Sequence, residues 1–299
     1  MRFTCIALVI ARVRSHLVDY EALQIMRPLF VAWLEKYGIP AIIVPDYFMM
    51  SALSMVFCTT WMLRYARRDG INLRSEALSL ALIYLAVLSG GYIFEAIRAV
   101  PSAIFSKSLE PFAYIGRAAW GGVIGGALVA LWLLRIRGQS AARFFDLISV
   151  PTSMAFVLVR IGCFLAGCDY GRPTDLWLGI RFPPNSLAAL DHANRGLVML
   201  GSPSLPVHPT QLYESTLSLI AAMLAWMVLR KKRYDGSAFF TWLAAYSISR
   251  FAIEWLRGDT NRGIYGPFSS AQYISLFALT ISAIFFITKL HKHTAQEVI

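Results

Sequence analysis

Charge is what this chain lacks. Only 15% of its 299 residues are Asp, Glu, Lys or Arg, against 57% apolar, whereas a water-soluble domain carries about a quarter charged residues. That shortage excludes an ordinary soluble enzyme. With a mean hydropathy of +0.57, it points to a polytopic membrane protein. Cysteine is scarce too. The four present, Cys5, Cys58, Cys163 and Cys168, are too few for a disulfide framework and match no zinc-ligand spacing, so no metal and no other cofactor is expected. No small-residue cleavage site follows the apolar run 3–11, which argues against a removable signal peptide. The net charge of +11 would suit nucleic acid, but no basic stretch is interleaved with stacking aromatics. The basic residues sit instead in short loops between apolar runs, as membrane orientation signals do.

Apolar windows of at least about 18 residues mark membrane spans. They predict an all-α fold with seven transmembrane helices, at 39–63, 77–99, 113–134, 144–166, 211–229, 238–256 and 269–288. Arg64, Arg67, Arg68 and Arg74 follow the first span, Arg135, Arg137 and Arg143 the third, and Arg230, Lys231, Lys232 and Arg233 the fifth. The positive-inside rule makes those loops cytoplasmic, puts the N-terminus outside, and leaves Lys289 and Lys292 at a cytoplasmic C-terminus. The expected organisation is then an interfacial segment 1–38, helices one to four in 39–166, an outer cap loop 167–210, helices five to seven in 211–290, and a cytoplasmic tail 291–299. Pro173, Pro183, Pro184, Pro203 and Pro206, with scattered glycines, make the cap irregular, while Trp177 and Phe182 favour order.

An Arg inside a bilayer costs about 2.5 to 3.5 kcal/mol on insertion scales and marks a functional site by default. Counting about 1.5 Å per helical residue places Arg160 and Arg250 at one depth, roughly 9 Å below the outer interface. Asp46, Tyr47, Glu95, Arg117, Trp120 and Gln272 also fall in outer halves, and the inner halves are nearly free of ionisable groups. A polar cavity open to one side disfavours a transporter, whose site lies near the midplane. It suits an outer-leaflet phospholipid, because the guanidinium fork binds phosphate oxygens in bidentate fashion.

Each signal has a plainer reading. Arg250 and Glu254 are spaced for an intrahelical ion pair. The run His208-Pro-Thr-Gln211-Leu-Tyr213-Glu214 opens the fifth span with ordinary helix-start chemistry, though it is richer in polar groups than a cap needs. Gly125 and Gly126 read as close helix packing. On a continuous helix Cys163 and Cys168 would face apart without bridging, and they read as small packing residues; a pair facing an oxidising compartment is the alternative if Gly167 ends the helix.

Taken together, the residues Arg160-Ile-Gly with Phe164, Gly167 and Tyr170-Gly171-Arg172, the run His208 to Glu214, and Arg250-Phe-x-x-Glu254 followed by Arg257 resemble the prolipoprotein diacylglyceryl transferase family from about Pro45 onward. The resemblance implies an enzyme of the bacterial inner membrane with its active site facing the periplasm. It would move the diacylglyceryl group of phosphatidylglycerol to the thiol of a lipobox Cys in a prolipoprotein signal peptide, releasing glycerol phosphate. It makes Arg160 and Arg250 the phosphate-handling pair, with Tyr47 matching the family's Tyr in the first span. His208 is a candidate proton acceptor, and the expected substrate-binding set is Tyr47, Trp120, Cys163, Gly171, Arg172, Gln211, Tyr213, Glu214, Glu254, Arg257 and Gln272. The chain departs from the family in three places. Ala119-Trp120-Gly121-Gly122 stands where an aromatic-His-Gly-Gly run is usual, Cys163 replaces an Asn, and Cys168 replaces a Glu. Trp120 cannot accept a proton. The alternatives are a lipid-binding homologue without turnover, or a transferase or hydrolase acting on another acceptor.

Overall fold

The structure, a computed structural model, describes residues 47–106, 119–184, 186–231, 234–259 and 264–297. Among them are eight helices: α1 Tyr47–Arg68, α2 Leu73–Ser106, α3 Ala119–Ile136, α4 Ala141–Ala166, α5 Leu187–Asn194, α6 Thr210–Arg230, α7 Ser237–Glu254 and α8 Ser270–Glu297. A helix runs through the described part of each of the seven apolar stretches, and α5 belongs to the cap segment. Among the described residues four helical stretches are long and apolar enough to cross a membrane, Leu73–Phe94, Ala141–Ala166, Thr210–Arg230 and Ser270–Leu290, with Gly121–Ile136 a shorter apolar helix. The helices overrun the apolar windows. α1 continues to Arg68 and α8 to Glu297, because Arg, Lys and Glu propagate a helix well once it has nucleated.

By internal contacts the chain divides into two compact units, residues 58–148 and the remainder, with the divisions inside α1 and α4. In the first unit α2 packs on α3 through glycine. Gly90 and Gly121 lie so close that a Cβ on either would collide with the other's backbone carbonyl, and one on Gly125 would sit 2.6 Å from the Ala86 carbonyl. Small residues let backbones approach in this way where no hydrophobic force acts between helices. At one end of this unit Asn72 caps α2, its Oδ1 accepting from the Arg74 and Ser75 amides at 3.0 and 3.2 Å. There Arg137 meets Glu76 at 3.4 Å and Arg143 meets Asp69 at 2.6 Å.

In the second unit α4 and α6 run side by side, tied by hydroxyls. Ser153 donates to the Ser218 carbonyl at 2.7 Å and Ser215 to the Val157 carbonyl at 3.2 Å. This antiparallel register brings Arg160 level with Glu214. Helix α7 joins through Tyr246, stacked on Phe156 at 4.9 Å, and meets α8 through Phe240 stacked on Phe285 at 4.0 Å. A short hairpin precedes α8, β1 Ile264–Tyr265 pairing antiparallel with β2 Phe268–Ser269. Its turn opens on Gly266 at φ +62, the left-handed start that a tight hairpin favours.

Candidate active site

The end of α4 is a Schellman turn. The Gly167 amide bonds the Phe164 carbonyl and the Cys168 amide reaches back to Cys163, both at 3.2 Å, with Gly167 at φ +72. Asp169 is also left-handed, at φ +58, a region short acidic side chains tolerate. The turn is pinned to the first turn of α6. Gln211 Nε2 donates to the Cys168 carbonyl at 2.6 Å and Thr210 Oγ1 to the Asp169 carbonyl at 2.7 Å.

Beyond it the chain crosses two others. The amides of Gly171 and Arg172 bond the carbonyls of His208 and Leu256 at 3.0 and 2.7 Å, while Gly258 donates to Tyr170 at 3.0 Å. A Cβ on Gly171 would lie 2.5 Å from the His208 carbonyl, so this crossing needs glycine. It is anchored in the cap by Tyr170, buried with Phe182, Ala188 and Val207, whose hydroxyl donates to Asp191.

These supports assemble one row of alternating charge. Glu254 contacts Arg250 Nη1 at 2.9 Å, and Glu214 contacts the same nitrogen at 3.2 Å. The other Glu214 oxygen meets Arg160 Nε at 2.6 Å. Arg160 Nη1 continues to Asp169 at 2.6 Å, and Asp169 to Arg257 at 2.6 Å. Arg257 ends on Asp259, through Nε and Nη2, both at 2.7 Å. Each guanidinium therefore lies between carboxylates, as buried charge requires. Burial alone would raise the Asp169 carboxyl, but Arg257 and Arg160 outweigh it and hold the group at about 2. Arg257 is raised in turn: burial works against its charge, and the hydrogen bonds to Asp259 with the charge of Asp169 prevail.

The row is unfinished at one place. Arg160 and Arg250 keep 17% and 16% of their side-chain surface exposed, against 3% for Glu214. Arg250 Nη1, Glu214 Oε1 and Gln211 Oε1 are buried and make no hydrogen bond, so the contact between Arg250 and Glu214 is one of charge without donor alignment. Buried polar atoms in this state call for a partner. Two guanidinium groups share one carboxylate here, and Arg250 Nη1 keeps donor capacity that an oxyanion could take up.

Other expected residues lie elsewhere. The His208 ring faces Tyr213, Nδ1 lying 3.4 Å from its hydroxyl. Arg172 is exposed, its Nε donating to the Arg257 carbonyl at 3.3 Å. Gln272 belongs to a capping box: its Oε1 accepts from the Ser269 amide at 3.0 Å and its own amide donates to Ser269 Oγ at 3.3 Å. Cys163 is buried, 3.9 Å from Arg160 Nη1. The hydrogen bond with Cys163, with burial, pushes the Cys168 thiol well up. Tyr47 opens α1 and Trp120 lies in the first turn of α3, but their side chains and that of Glu95, with Asp46 and Arg117 entirely, lie outside the described residues. Asp169, Asp259 and Thr210 are absent from the expected set. Asp169 follows the Cys that replaces a family Glu by one position, and that neighbouring carboxylate was the available signal.

A multi-span helical architecture with arginines held between carboxylates at the ends of α4, α6 and α7 defines a polytopic membrane protein with a buried ionic site. The family model described as prolipoprotein diacylglyceryl transferase matches residues 37–288, and the chain belongs to that family. It is 27% identical over 262 residues to the phosphatidylglycerol–prolipoprotein diacylglyceryl transferase of Clostridium tetani, covering 87% of this chain and 97% of that protein. Its identity to transferase 2 of Clostridium perfringens is 30%, covering 78% and 86% of the two chains. To the Bordetella avium transferase it is 32%, covering 71% and 77%.

Proposed function

We propose that this chain is a phosphatidylglycerol–prolipoprotein diacylglyceryl transferase of the bacterial inner membrane. In this reading seven helices span the bilayer, in 39–166 and 211–290, with residues 1–38 outside, the cap 167–210 over a periplasm-facing site and the tail 291–299 in the cytoplasm. The observation that carries it is Glu214 held between Arg160 and Arg250, inside the matched family region.

The phosphate of an outer-leaflet phosphatidylglycerol takes up the unused donor of Arg250 and is drawn to the charge of Arg160 beside it. The lipobox thiol then forms a carbon–sulfur bond to the diacylglyceryl carbon. The bond from that carbon to the phosphate oxygen breaks, and glycerol phosphate leaves with the oxygen and its electron pair. The thiol proton passes to solvent or to a base such as His208. Fixed guanidinium charge stabilises the developing phosphate monoester in a water-poor site, and a thiol, partly ionised near neutral pH, needs little activation. Glu214, Glu254 and Asp169 hold the two arginines in place, with Asp169 anchored by Arg257, and the cap admits the acceptor peptide.

The test is mass spectrometry of a synthetic lipobox peptide incubated with the purified protein and phosphatidylglycerol. A diacylglyceryl increment on the Cys, lost in Arg160→Ala, is expected. No increment, beside an active relative assayed in parallel, would sink the proposal. Trp120 in place of the usual His favours a second reading, a lipid binder without turnover. It predicts phospholipid affinity that falls in Arg160→Ala with no product in either protein.

A further inference from the structure

The proposed transfer uses neither sulfur at the end of α4, yet the fold has brought the two together. Cys163 and Cys168 are the residues joined by the long-range bond of the Schellman turn, amide to carbonyl at 3.2 Å. That bond keeps their Cα atoms within the roughly 7 Å a disulfide can bridge. The left-handed Gly167 folds Cys168 back, so that the sulfurs and an Asp169 oxygen all lie within 4.8 Å of one another. Cys168 Sγ approaches the Cys163 carbonyl at 3.7 Å, and both are free thiols in this structure. The same three residues could suggest a metal. Against that, each Asp169 oxygen is in contact with a guanidinium at 2.6 Å, and a cation would have to displace Arg160 and Arg257. Two thiols remain, one buried and one partly exposed.

We propose that Cys163 and Cys168 form a reversible disulfide that ties the last turn of α4 to the segment carrying Asp169. The reaction is thiol–disulfide exchange. Although its surroundings favour the thiol form, Cys168 is the accessible partner: it loses its proton to solvent and attacks the disulfide of an oxidant, either a thiol–disulfide oxidoreductase or a small-molecule disulfide. A mixed disulfide forms and one oxidant thiol departs. Cys163 then loses its proton and attacks the Cys168 sulfur, closing the intramolecular bond and releasing the second thiol. Two protein thiols are oxidised, and two electrons and two protons reduce the oxidant disulfide to its dithiol. The carbonyls of Cys168 and Asp169 are already held by Gln211 and Thr210. The new bond therefore stiffens the mounting of the one carboxylate that touches both Arg160 and Arg257. Access to an oxidising compartment rests on the outward orientation proposed above, whereas the chemistry of the pair can be measured without it.

Both cysteines fall in one tryptic peptide, residues 161–181, because Pro173 blocks cleavage after Arg172, and Cys5 and Cys58 lie outside it. The purified full-length protein is equilibrated in glutathione buffers of stepped redox ratio, quenched in acid, alkylated and digested. The expected peptide is closed and unalkylated in oxidising buffer, and doubly alkylated once a reductant is added. The melting temperature should stand several degrees higher for the oxidised protein, a difference absent in Cys168→Ser. Double alkylation at every ratio would overturn the proposal, as would separate glutathione adducts on the two residues. So would protection removed by a chelator and not by a reductant. None of these readouts depends on transferase turnover, so this inference and the functional one fail separately.

Discussion

The glycine seam between α2 and α3 and the charged row around Glu214 solve the same problem by opposite means. Both bring segments of an apolar chain into close contact where hydrophobic driving force is weak. In the seam backbone meets backbone, because Gly90 and Gly121 have no side chain. In the row three guanidinium groups and four carboxylates alternate, an arrangement that is costly to desolvate and seldom the more stable choice. The contrast teaches what each region is for. The seam is shaped by volume, and in the proposed function the row is retained for chemistry.

If that division is right, volume changes should move stability and charge changes should move turnover. The largest effect expected is Arg160→Ala, with a loss of roughly 1000-fold in the rate of diacylglyceryl transfer followed by mass spectrometry, and with a lowered melting temperature because Glu214 and Asp169 lose a buried partner. Next, Gly121→Val should cost about 3 kcal/mol of stability in detergent denaturation curves. It would break the comparison if it were tolerated. Smaller again, Asp169→Asn should slow transfer about tenfold, because Arg160 keeps Glu214 as a partner when one flanking charge is gone.

The same residue sets an acid limit. Its folded value, about 2, lies below the usual aspartate value near 4. The stabilisation is therefore complete above about pH 4 and is lost as pH falls towards 2. Thermal stability measured down that range should fall in the wild type, with a shallower fall in Asp169→Asn. Smallest is Tyr170→Phe, which removes the bond to Asp191 and should lower stability by about 1 kcal/mol without a change in the rate constant for transfer.

Sequence patterning located the helices because apolar stretches of this length have few other structures open to them. It missed their ends, since the apolar character gives out at Arg64 and at Lys289 while the helix continues beyond both. Arg160, Arg250 and Glu214 stood out because ionised groups among apolar neighbours are unfavourable without a purpose. Asp169 and Asp259 did not, because an acid in a loop is ordinary until folding sets it against an Arg. Gln272 went the other way. Its position at the outer start of a span suggested a cavity, but Ser269-x-x-Gln272 is also a capping-box signature, and the structure uses it so. The short hairpin at Gly266 left only a Gly-Pro pair to read.

One carboxylate serving two arginines has a further consequence. With Glu214 between them, Arg160 and Arg250 are kept from repelling each other before any lipid arrives. In the proposed transfer an entering phosphate would take over from a resident anion rather than fill an electrical void, and on its departure the resident would resume its place. Arrival and departure are then substitutions of like for like. A site arranged in this way is poor at keeping what it binds and well prepared to let a product go.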